Sequence, residues 1–356
     1  MTILVTIVAL LIVLGVVVFV HELGHFLSAR WAGVRVDAFS IGFGPALFKW
    51  TDKHGTVWKL SCLPLGGYVS IYGQEDMFNR KKYAQLPDDE KRGHYLSVPA
   101  WKQFIIIASG VTMNFILAWF IYTSLFMFQP RLVANSQLPV VGQVIQESVA
   151  FNAGVKPGDT IVRIDDAKIS NWGELVIAKD LASNRDANVL IVRGEELVSV
   201  TLAPAERWGM VADGSKRADP ARQGIFRAMY SGARKTYYES KTLVVVLKQM
   251  ITGERSSKQL GSFITIAEYS GRAMVAGFFA FLSLIALLSV NLGVINLLPL
   301  PVLDGGYLLI LIIEGITRRK LQGRAMEFVI MLGWLLILAL FIYTMWNDIS
   351  RVFGWN

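Results

Sequence analysis

MTILVTIVALLIVLGVVVFVHELGH, residues 1–25, decides how the rest of the chain is read. Met1–Val20 carries no Lys, Arg, Asp or Glu, and about 20 apolar residues are what a helix needs to cross a bilayer. No basic segment precedes the run, it outlasts the apolar part of a secretory leader, and no small-residue cleavage site follows, so we expect a retained first span. His21-Glu22-Leu23-Gly24-His25 continues it directly, at a depth where ionisable groups are costly and tend to serve function. Histidines four apart on a helix share a face, so both imidazoles can reach one zinc ion while Glu22 leans toward water held there. The plain alternative is polar residues snorkelling at a helix end. His54 and His94, in a polar stretch, are expected at the surface.

Working outward, Phe104–Phe128, Ala273–Leu303 and Phe328–Trp346 are also uncharged, which makes four candidate spans. The chain is 53% hydrophobic and 17% charged, against about 25% charge in soluble domains. That excludes a free cytosolic enzyme, a disordered chain and a collagen. A single Cys62 excludes an internal disulfide and a Cys-rich metal cluster. Lys and Arg crowd the stretch between the first two spans, and Arg318, Arg319, Lys320 and Arg324 lie between the last two. Basic loops stay cytoplasmic, so the termini and the long middle segment are expected on the periplasmic side. The net charge of +8 then reads as topology and contact with the lipid bilayer. A nucleic-acid partner is not expected, because there is no soluble basic domain with stacking aromatics.

The expected architecture is a multi-span α-helical membrane protein with four transmembrane helices, a membrane-associated β-hairpin region and one inserted α+β domain. Its parts are a first helix over 1–27, a cytoplasmic-side loop with the hairpin over 28–98, and a second helix over 99–129. In the outward segment, Val140–Val144, Thr160–Ile164, Asn188–Val192 and Leu197–Leu202 read as short strands. Glu174–Ala182 has helical spacing, and Ala153–Asp159 is a turn. With its Ala153–Asp165 motif this region, 130–206, resembles a PDZ domain, a module that adds an extended peptide ligand to a sheet edge. Over 221–270 basic residues such as Arg227, Lys241 and Lys248 alternate with Leu243, Val244, Leu247 and Ile251. An amphipathic helical region lying on the outer membrane surface is expected. The alternative is a solvated helix packed on the inserted domain. A fourth transmembrane helix covers 326–350. Within 28–98, Thr56–Leu60 and Gly67–Tyr72 alternate like the strands of a hairpin whose edges can pair with a substrate backbone.

Zinc needs a third protein ligand and an open position. Pro299 and Pro301 cannot sit in a regular helix interior, so the third span, 272–316, must break there. Asn291 and Asn296 would then face a polar cavity, and Asp304 has a reason to be present if it binds a cation. Capping the helix that resumes at Gly305-Gly306 is the other reading of Asp304. Glu314 is expected at the cytoplasmic rim.

These features together, with Phe39-Ser-Ile-Gly-Phe-Gly-Pro45 and Pro64-Leu-Gly-Gly-Tyr-Val69, resemble the bacterial site-2 protease family of intramembrane zinc metalloproteases, and within it the RseP-like regulators. The resemblance implies Zn2+ held by His21, His25 and Asp304, with Glu22 as catalytic base. It further implies that Asn291 and Asn296 contact substrate or order the site. Gly66, Gly67, Tyr68 and Val69 would pair with an unwound substrate helix. Substrates would be single-span membrane proteins, anti-sigma factors or remnant signal peptides, cut in regulated intramembrane proteolysis. The PDZ domain would filter substrates by size in the periplasm of a bacterial inner membrane, with the active site toward the cytoplasmic side. Val111, Gln103, Ser262–Thr265 and Tyr307 stand where relatives commonly carry Pro, Arg, a Gly-Pro motif and His. The alternative function is a PDZ-bearing peptide-binding scaffold without proteolysis. A transporter would need a second broken helix in a repeated half, and none is present.

Overall fold

The computed structural model describes residues 3–78, 80–129, 138–182, 184–205, 207–216, 221–253, 262–318 and 324–353. In chain order the elements begin with α1 (Ile3–Ala32), β1 (Val36–Thr51), β2 (Val57–Ile71) and α2 (Ala100–Phe128). The middle of the chain forms β3 (Val141–Val144), α3 (Val149–Asn152), β4 (Thr160–Ile164), β5 (Ala167–Lys168) and α4 (Trp172–Leu181). There follow β6 (Ala187–Arg193), β7 (Glu196–Leu202), β8 (Met210–Ala212) and α5 (Ile225–Ile251). The chain closes with α6 (Phe263–Ala276), α7 (Phe278–Asn296), α8 (Asp304–Thr317) and α9 (Arg324–Phe353). Two compact units result, Met1–Ile121 with Ser257–Asn356, and Tyr122–Ser256.

Among the described residues, four helices are long and apolar enough to cross a membrane: Ile3–Ala32, Ala100–Phe128, Phe278–Asn296 and Phe328–Ser350. On α1, Ala9, Val13, Val17 and His21 are buried at every fourth position, while Ile3, Leu4, Ile7 and Ile12 are exposed. A helix with one packed stripe and an apolar remainder suits a lipid surround. Close approach to α2 is made at Gly24, where a Cβ would stand 2.7 Å from the Ser109 carbonyl carbon. Small residues at such crossings let helix backbones meet.

The third span breaks as the prolines require. Helix α7 ends at Asn296 and α8 restarts at Asp304. The returning helix tucks under the loop so tightly that a Cβ on Gly306 would meet the Leu300 carbonyl carbon at 2.6 Å. The expected boundary at 270–272 is corrected, because α6 starts at Phe263 and lies along α1 and α7. Glu268 and Arg272, one turn apart, pair with each other, so charges that suggest a surface element sit on a packed helix. Asp348, from the far end of the chain, accepts the N–H of Ser262 (2.9 Å) and of Thr265 (3.2 Å) and both hydroxyls. It thereby fastens α9 to the start of α6.

Strands β1 and β2 form more than the expected hairpin. The two predicted strands do not pair with each other. Gly67–Ile71 runs antiparallel to Val36–Ile41, whose other side lies beside Val57–Leu60 with residue numbers rising together. Ala46–Thr51 then returns along Val57–Ser61. The strand missing from the sequence reading is thus β1, central between two segments of β2. Its alternation is blurred by Gly42 and Gly44, both at positive φ, where the chain turns back. Trp58 fixes the layer, stacking on Phe39 at 4.6 Å and on Trp50 at 5.8 Å. Asp52 closes the tip by accepting Arg30 at 2.6 Å and the Trp58 indole at 3.1 Å.

His54 is exposed on that tip as expected, but His94 is buried, with 1% of its surface accessible. Its Nδ1 accepts the Leu96 N–H at 3.0 Å, capping the turn Tyr95–Ser97, and its Nε2 faces Asp76 at 3.5 Å. Rings of Tyr72 and Tyr83 pack against it. A capping role, which needs a fixed acceptor, explains why this histidine leaves the surface.

In the second unit β5-β4-β6-β7 form one sheet and β3-β8 another. The four expected strands and the helix are present; β5 and β8, the latter paired with β3, are additional. Trp208, Ile161, Ile191 and Leu202 are fully buried, and Asn171 caps α4 by accepting the Glu174 N–H at 2.9 Å. On α5, Ala228, Gly232 and Thr236 are buried in one stripe, and Gln249 donates to the Asp180 carbonyl at 2.8 Å. The helix therefore packs on the inserted unit, while Phe226 and Ile251 remain exposed.

Asp159, 1% exposed, is held by Arg193 at 2.8 and 2.7 Å. Burial works against its ionisation, but the Arg193 hydrogen bonds and the Lys156 N–H outweigh it and hold its pKa below the usual carboxylate range. With the folded-state pKa below the unfolded one, this pair contributes stability above about pH 3.9 that is lost as pH falls through the depressed value. Arg193→Ala should cost about 3 kcal/mol at neutral pH by stranding a buried charge. Faster amide exchange in β4 and β6 is the expected readout; unchanged exchange would show that the pair is not structural.

Candidate metal centre

Helix α1 carries His21 and His25 on the stripe that faces α2 and the α7–α8 break. Asp304 arrives as the first residue of α8, where the backbone turn after Pro301 aims it back at α1. His21 Nε2 lies 3.2 Å and His25 Nε2 3.5 Å from Asp304 Oδ2, and the two Nε2 atoms are 3.2 Å apart. One ligand atom from each residue fits within 4.8 Å. Asp304 Oδ2 is buried and, apart from these two imidazole nitrogens, meets no hydrogen-bonding group among the described residues.

The outer nitrogens hold both rings in place. His25 Nδ1 sits 2.8 Å from the Ile106 carbonyl. A carbonyl only accepts, so Nδ1 carries the proton and the neutral ring presents a lone pair at Nε2. His21 Nδ1 is 3.2 Å from the amide of Asn114, a fully buried residue whose backbone carbonyl accepts the Ser289 hydroxyl at 2.8 Å. The amide nitrogen of Asn114 is the atom that faces His21 Nδ1, while its Oδ1 lies 3.4 Å from the Ser289 hydroxyl, so Asn114 holds the His21 ring in place without fixing its tautomer. Two imidazole nitrogens and a carboxylate oxygen converge on one point. A cation satisfies that arrangement, and two nitrogens with one oxygen and an open side match a catalytic zinc site.

Gly110 on α2 keeps the point clear, since a Cβ there would overlap His25 Nε2 and stand 2.9 Å from His21 Cε1. Neither Gly110 nor Asn114 is among the expected site residues. Their signal was a small residue and an amide four apart, on one face of a span without charge.

Glu22 is half-buried on α1, and no hydrogen bond from its side chain is found among the described residues. Gly67 of β2 lies against it, 3.7 Å separating a Cβ there from Glu22 Cγ, and only 2.7 Å separating it from the Ser40 carbonyl oxygen. Gly66, at φ +154°, packs on the Phe43 ring. Tyr68 stacks on Phe43 at 6.3 Å, and Val69 packs on the core around Phe39. Along the outer side of Tyr68–Ile71 runs a cavity of about 430 Å³, walled opposite by Tyr307 and Ile330. No strand pairs with that edge among the described residues. Asn296 Nδ2 lies 3.4 Å from His21 Nε2. Asn291 makes no hydrogen bond to the three ligands among the described residues. Glu314 is buried rather than at an exposed rim and lies outside the ligand cluster.

The model of peptidase family M50 matches residues 9–340. The chain belongs to this family. It is 37% identical to a protein of Agrobacterium fabrum named as a zinc metalloprotease, over 98% of this chain and 96% of that one. Similarly named proteins of Rhizobium meliloti and Campylobacter jejuni are 35% and 34% identical, each over 97% or more of this chain and 94% or more of their own. This M50 peptidase is a zinc metalloprotease with several membrane-length apolar helices.

Within it, Asn114→Ala should remove the amide that holds the His21 ring and weaken zinc binding by about 10–100-fold, the range for partners of metal-bound histidines. Competition with a chelator measures this directly; unchanged zinc affinity would leave Asn114 a packing residue.

Proposed function

We propose that the enzyme hydrolyses a peptide bond in the transmembrane segment of single-span membrane proteins, with zinc held by His21, His25 and Asp304 and Glu22 as general base. The convergence of three ligand atoms within 4.8 Å, around a buried Asp304 Oδ2 that meets only the two imidazoles, carries this reading. Zinc supplies Lewis-acid polarisation of the scissile carbonyl and makes water reactive near neutral pH. Glu22 takes the water's proton and returns it to the leaving amine. Asn114 and the Ile106 carbonyl keep the imidazoles turned toward the metal.

A helical substrate hides its carbonyls in its own hydrogen bonds, so it must unwind. The free edge at Gly66–Val69 offers replacement bonds to an extended stretch, as in strand addition, and Gly67 lets that strand lie close to Ser40 and to Glu22. Asn296 is placed to orient the same segment. We assign the middle unit to a PDZ-like domain that meets an extended peptide, and the basic loops to the cytoplasmic side of a bacterial inner membrane. Anti-sigma factors and remnant signal peptides are the substrates of this class.

The test is reconstitution of the zinc-loaded chain in liposomes with a single-span peptide. Cleavage inside the apolar segment, lost with a chelator and restored by zinc, is expected. An intact peptide, or cleavage indifferent to the chelator, would overturn the reading.

A further inference from the structure

A second, chemically different cavity lies wholly within the Tyr122–Ser256 unit, between α4 and α5, with a volume of about 620 Å³. We infer that it is a binding site for an anionic phospholipid. Its floor is apolar: Phe126, Ile169, Ile177 and Leu181. Its rim is cationic, with Lys168, Arg234, Lys235 and Lys241 set against the single lining carboxylate Glu174. Lys235 is held by Glu239 at 2.6 Å, and Arg234 reaches Glu174 only at 3.7 Å. Positive charge is thus concentrated at the rim, with Lys168 and Lys241 left without a carboxylate among the described residues.

Position selects the ligand. Phe126 belongs to the last turn of α2, a membrane-spanning helix that ends at Phe128. The cavity therefore opens at the level where that helix leaves the hydrocarbon. Tyr230, 69% exposed, and Tyr238 stand at its mouth, and tyrosines favour this interfacial level. A free phosphate would satisfy the rim and leave the floor bare. A phosphatidylglycerol-type lipid covers both, its phosphate among the lysines and the upper part of an acyl chain on Phe126 and Leu181. A zwitterionic headgroup brings a second cation to a rim that is already positive. An extended peptide is a poorer fit, because apart from the two-residue β5 the walls are helices whose backbone groups are already bonded. The cavity size is in the range of small-molecule sites.

The experiment uses the full chain in neutral detergent, with short-chain phosphatidylglycerol or phosphatidylcholine added and one-to-one adducts counted by native mass spectrometry. Phosphatidylglycerol should bind at least tenfold more tightly than phosphatidylcholine. The Lys168→Ala/Lys241→Ala double variant should lose that preference with zinc content unchanged. Lys248→Ala, on α5 but outside the cavity, should keep it. Inorganic phosphate at millimolar concentration should not displace the lipid. Equal binding of the two lipids, full displacement by phosphate, displacement by an acidic peptide, or an unaltered double variant would each overturn the assignment.

Discussion

Glu22→Gln is expected to leave zinc bound at full stoichiometry and to slow cleavage of a membrane-spanning peptide by about a thousandfold or more. The proposal gives this carboxylate no place among the ligands: the three atoms that could hold the metal belong to His21, His25 and Asp304. It sits beside the strand edge at Gly67, where a substrate carbonyl and water would meet. An amide keeps the shape but cannot take a proton, and removing a positioned general base costs about 100- to 10,000-fold. Full metal content with activity lost separates this role from a structural one. Activity within tenfold of the parent enzyme would mean that another group moves the proton.

Gly110→Ala should fail differently, losing zinc and activity together. The added methyl would overlap His25 Nε2, the atom that must face the metal, and crowd His21 Cε1 at 2.9 Å. The His25 ring cannot simply swing aside, because its Nδ1 is tied to the Ile106 carbonyl at 2.8 Å. The substitution is otherwise a good one for a helix, since Ala is preferred over Gly there by about 1 kcal/mol. Retained helical content with lost metal is thus the expected pair of observations. Gly315→Ala, with nothing within 4 Å of the new methyl, serves as the neutral control. Zinc bound as tightly in Gly110→Ala as in the parent would contradict the placement of the site.

What could be read from the residues was what local spacing dictates. His21 and His25 share a face because a helix repeats near four. The third span breaks because Pro299 and Pro301 cannot continue it. Apolar runs mark spans because a bilayer demands length. What could not be read was set by distant partners. Asn114 matters through a histidine 93 positions away, and Asp348 caps a helix 86 positions earlier. The β1–β2 layer has both a parallel and an antiparallel neighbour along one strand, which no alternation pattern encodes. His94 was misplaced because a polar stretch predicts exposure, whereas its ring is consumed as a cap between two tyrosines. The Ser-Phe-Ile-Thr segment at 262–265 looks like a departure from the family until Asp348 is seen to bind it.

Zinc-edge X-ray absorption on the full-length protein tests the central claim most directly. Two imidazole nitrogens at about 2.0–2.1 Å with the remaining ligands oxygen are predicted, and Asp304→Ala should release the metal or replace one oxygen by solvent. A four-nitrogen shell, a sulfur ligand, or a spectrum and affinity that ignore the loss of Asp304 would contradict it.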